Sequence, residues 1–350
     1  MKRYRFIFLL FFVLAIAGCG GSGGSSSDDN GGGGNGGSGG GTVETACLCF
    51  TSSGSTVVSI RINGTLDNIP ALEYSKNGLN WSPIALVNDS TVEVTALSDG
   101  EKVYLRAQNT NNLFSVNFAN YIQFVFTGSG TIEASGNIMS LLDKTLGSTE
   151  IPCDRCFYRL FKKCTALTRA PNLPAVSLTA GCYQEMFNGC TSLANAPALP
   201  AEILADWCYQ DMFFGCTSLV TAPNLPAITL ANHCYSGMFF DCTSLVNAPN
   251  LPAKILATAC YVGMFDGCTS LVNAPELSAT TLADSCYSFM FIGCTNLNYI
   301  KVSFTSWGPQ TKSWVQNVGG TGTFICPAAL VTPSPKYGKD WIPTDWTVNP

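Results

Sequence analysis

The chain has 350 residues, with 18 Lys and Arg against 23 Asp and Glu, a formal net charge of −5. Only 12% of residues are charged and 46% are apolar, and no basic cluster appears in the repeated region, which disfavours nucleic acid and anionic lipid as partners. A single histidine, His233, rules out multi-histidine metal sites and leaves any His-based catalytic centre one residue to work with.

Lys2, Arg3 and Arg5 precede an apolar stretch of 13 residues, Phe6 to Gly18. That is too short to span a bilayer as a stable helix, and residues 1–18 read as a signal peptide. The stretch ends Ile16-Ala17-Gly18-Cys19, which resembles a bacterial lipobox. The resemblance implies cleavage before Cys19 and a diacylglyceryl group on its sulfur; an ordinary secretory signal is the alternative. Cleavage leaves 15 basic against 23 acidic residues. Residues 19–41 are almost all Gly, Ser, Asn and Asp, which cannot bury a core and read as a flexible tether. The expected location is the bacterial outer membrane, facing outward, with the lipid as the membrane contact.

Residues 42–135 carry short alternating runs, such as Val58, Ile60 and Ile62, or Ile122, Phe124 and Phe126. Turn signals such as Asn63-Gly64 and Asp99-Gly100 separate them, which predicts a β-sandwich-like domain. Its expected role is a spacer, with carbohydrate binding as an alternative on a fold that hosts many functions. Residues 136–155 are expected to form an N-terminal cap for the repeated region.

From Cys156 the chain repeats itself every 26 residues, with copies starting at Cys156, Cys182, Cys208, Cys234, Cys260 and Cys286. A fixed period of that size predicts stacked coils over residues 156–311. In the third copy Cys208, Met212 and Cys216 are spaced i, i+4, i+8, which predicts a two-turn helix with that face buried. Leu219 then opens a short strand broken by Pro223 and Pro226, so pairing between coils is brief or bulged there. Over residues 312–350 the repeat decays into a C-terminal cap rich in Trp, read as a cover for the last coil rather than a binding platform.

These residues carry a resemblance to the BspA-like leucine-rich repeats of bacterial surface lipoproteins. The matching elements are Cys216-Thr-Ser-Leu219, Leu225-Pro226 and Met238-Phe239-x-x-Cys242. The resemblance covers residues 156 to about 300 and implies a leucine-rich-repeat solenoid, so that with the N-terminal β-sandwich the expected fold is α+β and multidomain. It also implies a surface protein that binds a protein partner, on a host surface or in the extracellular matrix.

The 17 cysteines of an exported chain invite a disulfide reading. Helices packed about 8–10 Å apart would hold the Cys columns too far apart to bridge, which favours buried thiols over a disulfide ladder. Tighter coils would reverse that balance. Cys153-Asp-Arg-Cys156 has the spacing of a redox motif without the βαβ context that gives the motif its chemistry.

Positions that vary between copies are the candidate ligand surface. One row is Asn195, Thr221, Asn247 and Asn273, and another includes Asn224 and Asn250. Amides in rows suit a peptide backbone or glycan hydroxyls; alternatively they bond one another. Trp207 and His233 share a variable slot before the helix, and Phe214 and Phe240 place apolar rings where solvent is expected. No phosphate loop, nucleophile elbow or metal-ligand cluster is visible, so neither enzyme activity nor a cofactor is expected. The rivals to protein binding are a glycan-binding lipoprotein and a structural subunit of a surface assembly.

Overall fold

β-Branched and aromatic residues alternate with polar ones between Leu48 and Ser135, and eight short strands result. They are β1 (Leu48–Ser53), β2 (Thr56–Asn63), β3 (Leu72–Ser75), β4 (Ser82–Pro83), β5 (Thr91–Leu97), β6 (Lys102–Ala107), β7 (Tyr121–Gly128) and β8 (Thr131–Ser135). The computed structural model describes residues 47–107, 114–145 and 149–350. The leader, Cys19 and the tether lie outside the described residues.

β1, β3, β4, β6 and β8 share one sheet, while β5, β2 and β7 form another. Phe50 of β1 meets Phe124 and Phe126 of β7 edge-on, at 5.0 and 5.1 Å between ring centroids, and so joins the two sheets through one core. The first sheet ends on β9 (Leu167–Arg169), which belongs to the repeats and pairs in parallel with β8. β7 meets the first coil in the same way. The Phe124 amide donates to the Leu160 carbonyl at 2.8 Å, and the Phe124 and Phe161 rings stack at 5.2 Å.

The expected α+β architecture, a β-sandwich followed by a leucine-rich-repeat solenoid, is corrected here. Among the described residues the chain is almost all β, 26% strand and 3% helical, in several small sheets. The helical pieces among the described residues are short 3-10 turns at Ile138–Leu141, Pro309–Thr311 and Ala328–Leu330. The segment from Cys208 to Cys216, expected to be a helix, is a run of turns.

Its hydrogen bonds show why. The amides of Cys208, Gln210, Met212, Phe214 and Cys216 each donate to the carbonyl three residues back. The amides between them, from Trp207, Tyr209, Asp211, Phe213 and Gly215, leave the segment altogether. They donate to Asn232, Cys234, Ser236, Met238 and Phe240 of the next coil, at 2.7–3.0 Å. A helix keeps its donors to itself; this segment gives half of them to its neighbour. Every fourth residue adopts positive φ to make this possible: Trp207 at 59°, Asp211 at 53° and Gly215 at 68°. Gly215 does so without steric cost, whereas a side chain costs about 1–2 kcal/mol there. Buried residues still recur at i, i+4 and i+8, because the turn period is four.

The coils therefore lie much closer than helices do. Phe187, Phe213 and Phe239 stack at 5.6 and 5.7 Å, and Tyr183, Tyr209 and Tyr235 at 5.8 Å. Strands sit at about 4.7–4.9 Å and packed helices at about 8–10 Å. The distance argument against a disulfide ladder thus falls. The column cysteines from Cys182 to Cys294 are nonetheless free thiols. Each closing cysteine donates its S–H to a carbonyl of the preceding layer, Cys216 to Phe187 at 3.2 Å and Cys242 to Phe213 at 3.1 Å.

On the proline side the strands reduce to single bridges, Asn195 to Thr221 to Asn247 to Asn273 to Tyr299. Pro223 and its equivalents lack the amide a longer ladder needs. Past the last Cys coil the layers continue at a 24-residue step. β10 (Tyr299–Lys301), β11 (Thr323–Ile325) and β12 (Thr347–Asn349) pair in parallel, Tyr299 against Thr323 against Thr347. Trp314 and Trp346 fill this end, their indole N–H groups donating at 2.8 Å to the carbonyls of Trp341 and Gly319.

Candidate binding surfaces

From Cys182 to Cys294 each coil buries Cys, Tyr, Met and Phe from its turn segment against Leu and Ala from its proline segment, with Phe157 and Leu160 in the Tyr and Met places of the first coil. The outward side chains of the two segments thus face opposite ways and make two separate surfaces.

The proline surface holds Asn195, Thr221, Asn247 and Asn273, all exposed and each on the bridge between consecutive coils. Asn224 and Asn250 are exposed three residues further on. Among the described residues these side chains make no hydrogen bond to one another, so their amides remain open. Aliphatic side chains flank them. Val220 and Val246 immediately precede Thr221 and Asn247; Ile203, Ile228 and Ile255 follow later in their coils, 64%, 69% and 82% exposed, with Ile203 and Ile255 in register with Thr229 and Ile228 one residue before it.

The turn surface holds the other candidates. Trp207 and His233 occupy the same left-handed position one coil apart, and their rings stack at 6.1 Å. Phe214 and Phe240 are half-buried and stack at 4.6 Å, so each ring shields the other from water. Sequence reasoning missed what surrounds Trp207. Arg155, Gln184, Gln210 and Phe118 join it around a depression of about 230 Å³. Gln184 donates to Gln210 at 2.9 Å. The Arg155 guanidinium sits 4.8 Å from the Phe118 ring, and its Nε is buried with no hydrogen-bond partner among the described residues. Gln184 and Gln210 are one repeat apart, so their pairing was readable; Phe118 arrives from the loop before β7 and was not.

Charge on this surface is unevenly settled. Glu185 accepts from Arg159 at 2.8 Å and from Lys162. Burial pushes its pKa up, but those two cations outweigh burial and hold it below the ordinary value. Asp211, one coil later, is pushed up to about 6 by burial and then by the Glu185 charge. Its carboxylate reaches over Gly237, where any Cβ would collide with it. Asp266 is likewise pushed up to about 6, by burial and by Asp241.

A third device also escaped notice. Asp206 Oδ1 accepts the Asn232 amide at 2.9 Å, and Asn232 Oδ1 accepts the Thr258 amide at 3.2 Å. Side chains at this position tie together the coils that contain Asp206, Asn232 and Thr258. At the far end Trp307, Trp341, Lys312, Lys336, Lys339 and Asp340 line a depression of about 400 Å³. No family model, curated protein or solved structure matches this chain.

Proposed function

We propose that this chain is an exported, lipid-anchored protein that binds a protein partner on the proline surface of its coils. The observation that carries the reading is the exposure of one isoleucine on each of three consecutive coils, Ile203, Ile228 and Ile255, on a stack that also carries open amides. Large apolar side chains held in water on successive coils favour a contact site, and open amides supply the hydrogen bonds such contacts use. The resemblance of the repeat to BspA-like surface proteins supports the same reading, and the lipobox supports the anchor.

The test is binding of the full chain to a panel of immobilised extracellular-matrix proteins, beside a variant carrying Ile203→Lys, Ile228→Lys and Ile255→Lys. The variant should lose binding while its melting curve stays that of the wild type. Binding unchanged by three added charges would refute the protein reading.

The depression around Trp207 favours a second reading. An indole face beside paired amides and a cation suits a glycan ring, with stacking below and hydroxyl partners around it. On a glycan array Trp207→Ala should abolish any signal that the triple lysine variant keeps. Signals indifferent to Trp207→Ala would dismiss the glycan reading.

A further inference from the structure

Among the sixteen described cysteines, Cys153 alone is not buried. It also stands outside the repeat pattern, for the corresponding positions of later coils hold Thr179, Ala205, Ala231, Ala257 and Ala283. Its neighbour Cys156 is the first residue of the inner thiol column and is fully buried.

The backbone between the two cysteines is pinned to the second coil. Thr179 Oγ1 donates to the Cys153 carbonyl at 2.6 Å, and Asp154 Oδ1 accepts the Ala180 amide at 3.0 Å. The Arg155 amide donates to the Ala180 carbonyl at 2.8 Å. Arg155 takes a left-handed φ of 54°, which turns the chain between the two cysteines. Three bonds to the second coil thus fix the segment that separates the sulfurs. An interaction between the Cys153 and Cys156 side chains lowers the Cys153 pKa; burial, followed by that same interaction, raises the Cys156 pKa. The accessible sulfur is the better thiolate, and the buried one keeps its proton beside it.

We propose that Cys153 and Cys156 are a redox pair, closing to a disulfide by exchange with a disulfide oxidant while the other column thiols, from Cys182 onward, stay reduced. The Cys153 thiolate attacks one sulfur of the oxidant, forming a mixed disulfide and expelling one thiolate. That thiolate takes up the proton from Cys153. Cys156 then loses its proton, and its sulfur attacks Cys153 Sγ and expels the second thiolate, which is protonated in turn. Two S–H bonds are lost and one S–S bond forms, and the oxidant disulfide leaves as two thiols. The column thiols do not compete. Attack requires an accessible thiolate, and theirs are buried; Cys190, Cys216 and Cys242 also give their protons to backbone carbonyls at 3.0–3.2 Å.

The inference is independent of the ligand. The test uses the reduced full chain, exposed folded to excess oxidised glutathione, then unfolded without reductant, alkylated and mapped by mass spectrometry. The peptide containing Cys153 and Cys156 should be two hydrogens lighter and carry no alkyl group. Peptides with Cys208, Cys216, Cys234 and Cys242 should be alkylated. Alkylation of both Cys153 and Cys156, a glutathione adduct persisting on Cys153, or a Cys156–Cys182 link would overturn the proposal. Cys153→Ser lies outside the thiol column and should fold. Folded and reduced, the wild type should take a rapid label at Cys153, and the variant should lack that label. Equal labelling of the two proteins would count against it equally.

Discussion

Replacing Asp211 by Asn should stabilise the protein at neutral pH and leave it nearly unchanged in acid. The carboxyl moves from 3.8 to about 6 on folding, through burial and then the neighbouring Glu185 charge. Because the folded pKa is the higher one, the folded chain binds more protons between those values, and stability falls as pH rises through that window. Below 3.8 the side chain is protonated in both states and costs nothing; above about 6 the whole penalty is present. A displacement of that size corresponds to about 3 kcal/mol, and solvent reaching the half-buried group brings the expected gain to about 2 kcal/mol. Asn keeps the shape over Gly237 and carries no charge. Urea melts of both proteins at about pH 3 and about pH 8 measure the difference. Equal stability at about pH 8, or a larger gain at about pH 3, would show that Asp211 bears no burial cost.

Phe213→Ala should destabilise by about 3–5 kcal/mol in the same melts, since the ring is buried between Phe187 and Phe239. Trp207→Ala should cost far less; equal losses would mean that the buried and outward positions have been confused. The eight thiols from Cys182 to Cys268 should resist alkylation in the folded, non-reduced protein and all react once it is unfolded without reductant. Discovery of disulfides between adjacent coils would contradict the donor role of the closing cysteines. Cys19→Ser should abolish fatty-acid labelling and release the protein from membranes, and retention of an unlabelled chain would end the lipoprotein reading.

Much of the layering was legible. The 26-residue step survives as the bridges from Asn195 to Asn273, and the brevity forced by Pro223 is observed. The helix was the error, and its cause is specific. Cys208, Met212 and Cys216 satisfy a period of four as well as one of 3.6, so spacing alone does not separate turns from helix. Glycine did carry the distinction: Gly189, Gly215, Gly267 and Gly293 stand just before the closing cysteine, at φ between 67° and 76°. Glycine destabilises a helix interior, whereas a left-handed turn position needs it. The ligand-surface candidates were found one at a time, because their rows follow the repeat. Their neighbours were partly hidden, since Phe118 reaches Trp207 from outside the repeat altogether.

The donors that leave each turn segment all point toward the C-terminal neighbour, which gives this side of the stack a head and a tail. The head offers bare carbonyls and is met by amides: Phe124 donates to Leu160, and the Gln123 side chain donates to Lys162. The tail offers bare N–H groups, the more electropositive end of an aligned row of peptide dipoles. A carboxylate finishes it, for Asp340 Oδ1 accepts the Ser313 amide at 2.6 Å. The two closures are chemically opposite and cannot exchange places. A gene could therefore lengthen or shorten this protein by whole 26-residue units and keep both lids, whereas a chain with its lids transposed would set acceptor against acceptor and donor against donor.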